Sequence, residues 1–237
     1  MALPKVSLPT YELEIPSNGK KLKYRPFVVK EEKLLLLALE SKDDKQIEDA
    51  TRILLKNCIQ SRIKLEDLAI FDLEYIFLNI RAVSVGEVVE MILTCEDDGK
   101  TQVKYNLDLT DVKVTKPEGH TNKIMLSDTM GIIMKYPSFD AFVKVSVIGK
   151  EQTNDDIISI MASCIDQIYD GEEVYDSSTT SKKEFVQFLD GLTNKQFENV
   201  RKFFDDSPVL KHEFVIKNPE TGVDNTFRIQ GLTNFFG

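Results

Sequence analysis

The stretch from residue 65 to residue 109 constrains the fold most, because it joins a helix that is apolar on two sides to a β-hairpin. At about 100° per residue, one broad apolar face of the helix contains Leu65, Ala69, Ile70, Leu73, Ile76, Phe77 and Ile80. A second apolar face contains Leu68, Phe71, Tyr75 and Leu78. Such a helix must be covered on two sides. We therefore predict that residues 65–81 form the central helix of the fold.

The hairpin follows this helix directly. After Ser84 the apolar period changes from helical to strand-like, with alternation over Glu87–Cys95 and again over Val103–Leu109. Between these runs, residues 96–99 end in Gly99 and form a turn signal. The pattern predicts two antiparallel strands with one buried face.

Further elements lie on both sides of this stretch. An N-terminal hairpin is predicted over residues 8–27, followed by helices at Val29–Glu40 and Lys45–Ile59, the second capped by Asp43 or Asp44. Downstream, we predict a helix from residue 153 that ends at Gly171, with the apolar stripe Ile157, Met161, Cys164, Ile165 and Ile168. The sequence does not decide between helix and strand for two segments, Ile124–Tyr136 and Phe139–Ile148.

The C-terminal part of the chain carries the clearest start signals. Capping-box spacing predicts two short helices, with the pairs Ser181 with Glu184 and Thr193 with Gln196. The chain then closes with a predicted strand pair, Lys211–Lys217 and Asn225–Gln230. The fold class is therefore α+β, with an N-terminal β-hairpin, a helical core around the central helix and two further hairpins.

A polar connection at Thr110–Thr121, with Pro117 and Gly119, is the candidate boundary between two halves. We expect residues 1–117 to hold the N-terminal hairpin, the helices and the first of the two later hairpins. Residues 118–237 then hold the mixed segment, the helical hairpin and the last hairpin. One continuous domain is the alternative.

The two later hairpins echo each other. Placing Gly99 over Gly222 aligns two further pairs, Cys95 with Asn218 and Asp98 with Thr221. Cys95–Gly99 has the outline of a zinc knuckle, so both hairpins can be interpreted as degenerate zinc ribbons, with unrelated hairpins as the alternative. Only one of the four expected sulfurs is present, and the other three side chains are poor substitutes. We predict no bound metal.

Composition excludes several classes of function. The net charge of −9 disfavours a nucleic-acid surface, and no run approaches the ~18 consecutive apolar residues of a membrane span. Residues 1–10 lack the features of a signal peptide, so folding in the cytosol is expected. The cysteines, Cys58, Cys95 and Cys164, are odd in number and widely spaced, which argues against a disulfide framework.

No catalytic constellation is visible. The two histidines, His120 and His212, stand apart, and the chain has no phosphate loop, nucleophile elbow or His-Glu-x-x-His helix. We therefore assign no catalytic, cofactor-binding or metal-binding residues. The candidate partner-binding residues are Tyr24, Pro26, Phe27, Phe235 and Phe236. For the last two, packing into the core is the favoured interpretation over an apolar end offered to a partner.

Several strings resemble the baseplate hub subunit and hub-assembly proteins of T-even-like contractile-tailed bacteriophages. They are Leu8-Pro-Thr-Tyr-Glu-Leu-Glu-Ile-Pro16, Lys23-Tyr-Arg-Pro-Phe27, Lys30-Glu-Glu-Lys-Leu-Leu35, Phe71-Asp-Leu-Glu-Tyr75, Arg81-Ala-Val-Ser-Val-Gly-Glu87, Ile168-Tyr-Asp-Gly171 and Gly231-Leu-Thr-Asn-Phe-Phe236. The family carries cysteine pairs where this chain has Cys95 and Asp98, so the resemblance does not extend to metal binding.

The resemblance implies a non-enzymatic hub subunit or assembly protein. It would act in the host cytoplasm during assembly and in the virion tail baseplate, through contacts with other hub or tail proteins. A carboxylate-based hydrolase acting on the host cell wall is the alternative, and it requires acidic residues that converge in a cleft with a strongly perturbed pKa. A vestigial zinc-ribbon binding module is a third hypothesis.

Overall fold

A computed structural model describes residues 6–138 and 154–230, and within these residues the α+β class is confirmed. The helices are α1 (Val29–Ser41), α2 (Asp44–Cys58), α3 (Ile70–Val85), α4 (Asn154–Ser163), α5 (Lys182–Asp190) and α6 (Asn194–Asp205). The first strands are β1 (Tyr11–Glu14), β2 (Lys21–Tyr24), β3 (Val88–Thr94), β4 (Gln102–Asp108), β5 (Lys113–Thr115) and β6 (Lys123–Met125). The later strands are β7 (Met130–Met134), β8 (Ile165–Asp170), β9 (Glu173–Asp176), β10 (Val209–Lys217) and β11 (Asp224–Gln230).

The strands form four small antiparallel sheets. Two of them are simple hairpins, β1–β2 and β3–β4. A three-stranded sheet has the order β11-β10-β5, and a four-stranded sheet has the order β6-β7-β8-β9. The three predicted hairpins are therefore present, and the open segment at residues 124–136 forms strands. The other open segment, at residues 139–148, lies outside the described residues.

The chain divides into two compact units. The first contains residues up to 65, residues 71–115 and residues from 209 onward, and the second contains residues 66–70 and 116–208. The hairpin β10–β11 belongs to the first unit because β10 also pairs with β5. Two separate domains divided near residue 117 stay a prediction.

Helix α3 supplies much of the core of the first unit. Its side chains Leu73, Ile76, Phe77 and Ile80 are at most 1% exposed. The helix begins at Ile70 rather than at the predicted position 65, because residues 65–67 form a separate 3₁₀ turn. The burial pattern nevertheless agrees with a central helix covered on more than one side.

Local capping signals operate as predicted. The Asp43 carboxylate accepts hydrogen bonds from the backbone N–H groups of Lys45 (2.9 Å) and Gln46 (3.2 Å), which starts α2. Capping boxes start α5 and α6, with the predicted pairs Ser181 with Glu184 and Thr193 with Gln196. These bonds satisfy backbone donors that a helix start would otherwise leave without partners.

The predicted helix from residue 153 to Gly171 is wrong in its second half. Helix α4 ends at Ser163, and the following residues form strand β8, which pairs with β7 on one side and β9 on the other. The spacing of Ile165 and Ile168 suits a helical stripe, but both are β-branched and both are buried as strand residues. Pairing on both edges decides between the two conformations.

The middle of the four-stranded sheet leaves no room for a side chain at Gly131. A Cβ atom there would overlap the Tyr169 hydroxyl oxygen and would lie 2.8 Å from the backbone carbonyl oxygen of Ile124. The tyrosine side chain could rotate away, but the backbone of β6 could not move without breaking its pairing with β7. Gly131 therefore allows the close approach of these strands.

We predict that Gly131→Ala lowers the free energy of unfolding by about 1–3 kcal/mol, because the added methyl group overpacks the sheet. Chemical denaturation followed by circular dichroism measures the change. Gly191→Ala is the matched control, since its Cβ would meet only ordinary contacts at 3.5 and 3.6 Å. Equal effects of the two substitutions would contradict the steric explanation.

Candidate functional site: two hairpins joined at their turns

Two hairpins of the first unit, β3–β4 and β10–β11, form a layered pair. Their alternating residues contribute to one cluster of buried side chains, which contains Leu78, Val89, Leu107, Leu109, Val112, Leu210 and Ile229. Leu78 comes from α3, so the pair is anchored to the central helix. The predicted single buried face of β3–β4 is the face that meets this cluster.

Aromatic rings fill the space between the hairpins. The rings of Tyr105 on β4 and Phe214 on β10 stack with a centroid distance of 3.8 Å and an angle of 6° between their planes. The Tyr105 hydroxyl oxygen lies 3.2 Å from Nε2 of His212, and Phe227 stacks on Phe214 at 5.7 Å. The stack buries apolar ring surface while the polar hydroxyl keeps a hydrogen-bond partner.

The turns of the two hairpins are joined by the side chain of Asn225. Its carbonyl oxygen Oδ1 accepts hydrogen bonds from the backbone N–H groups of Glu96 (2.8 Å) and Asp97 (3.1 Å). Its amide nitrogen Nδ2 donates to Oδ1 of Asp97 at 2.9 Å. Asn225 is 4% exposed, so these bonds are largely shielded from water. One amide side chain thus binds the backbone and the carboxylate of the opposite turn.

Asp97 also binds the turn of the C-terminal hairpin. Nδ2 of Asn218 donates to its Oδ1 at 2.9 Å, and the Thr221 hydroxyl donates to its other oxygen. These hydrogen bonds lower the pKa of Asp97. Asn218 is fully buried and its Oδ1 accepts from the backbone N–H of Glu220 within its own turn. The two turns therefore share one continuous polar network.

Asp98 closes its own turn. Its Oδ2 accepts from the Thr101 hydroxyl at 2.6 Å, and its Oδ1 accepts from the backbone N–H groups of Thr101 (3.0 Å) and Lys100 (2.9 Å). These hydrogen bonds hold the pKa of Asp98 well below its usual value, and the bond from the Thr101 hydroxyl has the largest effect. The charged carboxylate thus shapes the turn that presents Asp97.

The backbones of the two turns follow the same scheme. Gly99 donates its N–H to the carbonyl oxygen of Cys95 at 3.0 Å, and Gly222 donates to that of Asn218 at 2.9 Å. Both glycines have positive φ, 63° and 75°, where a Cβ atom would be strained. The aligned positions of the sequence echo therefore have the same backbone role. A relationship to zinc ribbons stays a prediction.

The polar atoms of this site satisfy each other. In the part of the chain that the structure describes, no group of three or more His, Cys, Asp or Glu side chains is arranged to hold a metal ion. Burial, followed by the nearby charges of Asp97 and Asp98, raises the pKa of the Cys95 thiol, which favours its protonated form. The arrangement is suited to joining two hairpins.

The predicted partner-binding residues near the N-terminus lie at the end of β2 and in the connection from β2 to α1. Tyr24 is 4% exposed and stacks on Tyr11 at 5.7 Å between ring centroids, so its ring belongs to the core. Pro26 and Phe27 are half-buried, and the backbone N–H of Phe27 donates to the Ser84 hydroxyl at 3.0 Å. Phe235 and Phe236 lie outside the described residues. Partner binding by these residues stays a prediction.

The outer faces of the paired hairpins expose apolar side chains that no sequence motif marks. On β3, Val88 and Ile92 are 59% and 63% exposed, and on β10, Val215 is 60% exposed. Within the described residues β3 and β4 pair only with each other, so each has an unpaired outer edge. The apolar residues were visible in the sequence, but only the packing shows which face of each hairpin is outward.

We predict that Asn225→Ala lowers the free energy of unfolding by about 1–3 kcal/mol, because two backbone N–H groups lose their acceptor. Urea unfolding measures the loss. Thr226→Ala, at the adjacent exposed position, should change stability by less than about 0.5 kcal/mol. An Asn225→Ala variant as stable as the wild-type protein would show that the turn network contributes nothing.

The network also predicts an acid dependence. The pKa of Asp98 is lower in the folded state than in the unfolded state, where it is near the ordinary value of 3.8. The charged carboxylate therefore stabilises the fold at pH values above the unfolded pKa. This contribution is lost as the pH falls toward the folded pKa. We expect unfolding free energy to fall less steeply below about pH 4 in Asp98→Asn than in the wild-type protein. Urea titrations between neutral and acidic pH test this, and identical slopes would contradict it.

No described helix is both long enough and apolar enough to cross a membrane. The family model described as "T4 bacteriophage base plate protein" matches residues 8–237, which is nearly the whole sequence. Comparisons with curated proteins and with solved structures gave no match. The match extends over both compact units and includes both turns of the joined hairpins. The chain therefore belongs to the family of T4 bacteriophage base plate proteins.

Proposed function

We propose that this protein is a baseplate hub subunit or hub-assembly protein that acts through contacts with other hub or tail proteins. The observation that carries the proposal is the family match over residues 8–237, which supports a structural role in the phage baseplate. The resemblance of its sequence strings to hub proteins supports the narrower hub role. Assembly takes place in the host cytoplasm in this proposal, and the mature location is the tail baseplate.

The joined hairpins are the proposed contact surface. Val88 and Ile92 expose apolar side chains next to strand edges that have no partner among the described residues. An unpaired strand edge can accept another strand, and neighbouring apolar side chains add specificity to such a contact. The polar network at the turns supports this role because it fixes the two hairpins relative to each other before a partner binds.

Pro26 and Phe27, together with Phe235 and Phe236, form a second set of proposed contact residues. The half-buried Pro26 and Phe27 keep part of their surface accessible, whereas Tyr24 is proposed only to support them from the core. Loss of a partner on Phe27→Ala, with unchanged stability, would support a direct contact.

A carboxylate-based hydrolase has less support than a binding role. A general acid of that class has a raised pKa, so that it carries a proton at working pH. The pKa is lowered for seven carboxyl groups, which are Glu31, Asp43, Asp97, Asp98, Asp108, Asp176 and Glu184. Carboxylates of this kind stay charged and act as hydrogen-bond acceptors, which agrees with a non-enzymatic role.

Quantitative mass spectrometry of purified virions tests the proposal. Presence in fixed ratio to a known baseplate component would identify a structural subunit. Absence from virions, with co-purification of hub proteins from infected cells, would identify an assembly factor. Absence from both virions and hub complexes would overturn the proposal.

A paired substitution tests the contact surface. We predict that Val88→Glu combined with Ile92→Glu reduces incorporation into hub complexes at least about tenfold, because two charges would have to be desolvated at the interface. Val174→Glu is the control, since it is 59% exposed on β9 of the other unit. Circular dichroism should show native folding of both variants. Equal incorporation would exclude the outer face of β3 as a contact surface.

A further inference from the structure

A pocket of about 220 Å³ lies in the second unit between the edge strand β6 and helix α6. Its floor is apolar and aromatic, with Phe203 4% exposed and Ile124 8% exposed. Met125 also lines the pocket and is 48% exposed. The floor offers a complementary surface to one apolar side chain.

The rim of the pocket is mainly basic. Lys123 from β6 and Lys202 from α6 line it, with Asp206 as the one acidic lining residue. Among the described residues, neither lysine has a carboxylate within ion-pair distance. Nζ of Lys123 lies 5.1 Å from the centroid of the Tyr169 ring, which holds this cation close to the sheet. A basic pocket is unexpected in a chain with a net charge of −9.

His120 forms one wall of the pocket and is fixed by aromatic neighbours. Its ring stacks on Phe203 at 5.2 Å and on Tyr136 at 5.7 Å, and Nε2 lies 3.0 Å from the Tyr136 hydroxyl oxygen. Burial lowers the pKa of His120, and the positive charge of Lys116 lowers it further. The negative charge of Asp206 acts in the opposite direction. The local field around His120 therefore contains a third lysine, which adds to the attraction for an anion.

We propose that this pocket binds a carboxylate that stands next to an apolar side chain, as presented by the C-terminus of a partner protein. Lys123 and Lys202 would pair with the carboxylate, and the side chains of Asn199 and Thr121 are the polar lining groups available as further donors. The apolar neighbour would lie against Phe203 and Ile124.

The charge distribution favours a protein carboxylate over a polyanion. Nucleic acids and anionic membranes present many negative charges, and the net charge of −9 repels them over distances comparable to the Debye length. A single carboxylate beside an apolar group avoids this repulsion and matches both parts of the pocket. The proposal does not depend on the hub role, because it concerns the chemistry of the pocket alone.

Titration of the isotope-labelled full chain with N-acetyl-L-phenylalanine, followed by NMR, tests the proposal. We expect saturable chemical-shift changes at His120, Lys202 and Phe203. The uncharged amide analogue, N-acetyl-L-phenylalaninamide, should bind at least about tenfold more weakly. Inorganic phosphate, tested in parallel, should shift these residues less, because it has no apolar part. Equal binding of the acid and the amide, or stronger binding of phosphate, would overturn the proposal.

Charge reversal supplies the second arm of the experiment. Lys123→Glu and Lys202→Glu should each weaken binding of N-acetyl-L-phenylalanine about fivefold or more, since attraction becomes repulsion. Lys183→Glu, an exposed position on α5 that does not line the pocket, is the matched control and should bind like the wild-type protein. Unchanged affinity in both pocket variants, with native NMR spectra, would exclude the lysines as the recognition groups.

Discussion

The first unit depends on the burial of α3, a helix whose apolar residues are not confined to one stripe. Leu73, Ile76, Phe77 and Ile80 are at most 1% exposed, and Leu78 on another side is 2% exposed. Burying apolar surface contributes roughly 25 cal/mol per Å², so a helix that is apolar on several sides is stable only when neighbours cover each side. The hairpins β3–β4 and β10–β11 supply this cover on the side of Leu78.

Polar hydrogen bonds, rather than apolar contacts, hold the two hairpins together at their turns. Asn218 and Asn225 are buried, and buried amides are costly unless they are hydrogen-bonded. Both bind Asp97, whose carboxylate accepts from each at 2.9 Å. Because each group would lose its partner if the turns separated, the network favours one relative position of the hairpins. A fixed pair of this kind is a suitable platform for protein contacts in a baseplate.

Surface chemistry differs between the two proposed binding regions. The outer face of β3 is apolar, with Val88 and Ile92 exposed, and suits a partner that covers a strand surface. The pocket near His120 combines lysines with an aromatic floor and suits a single charged group. The lowered pKa values of Asp97 and Asp98 agree with the role of the joined turns, since these two carboxylates act there as hydrogen-bond acceptors.

Local sequence determined the hairpins, the caps and the capping boxes, because turn glycines, Asp43 and the Ser181 and Thr193 pairs act through backbone atoms only a few residues away. It predicted helix where β8 forms, because the spacing of the two isoleucines also fits a helix, and pairing with β7 and β9 made the choice. Its suggestion of Tyr24 as a contact residue stays a prediction, and the structure adds that the ring is buried. The site itself required the tertiary structure, because Asp97 and Asn225 are 128 residues apart and meet only when both hairpins pack together.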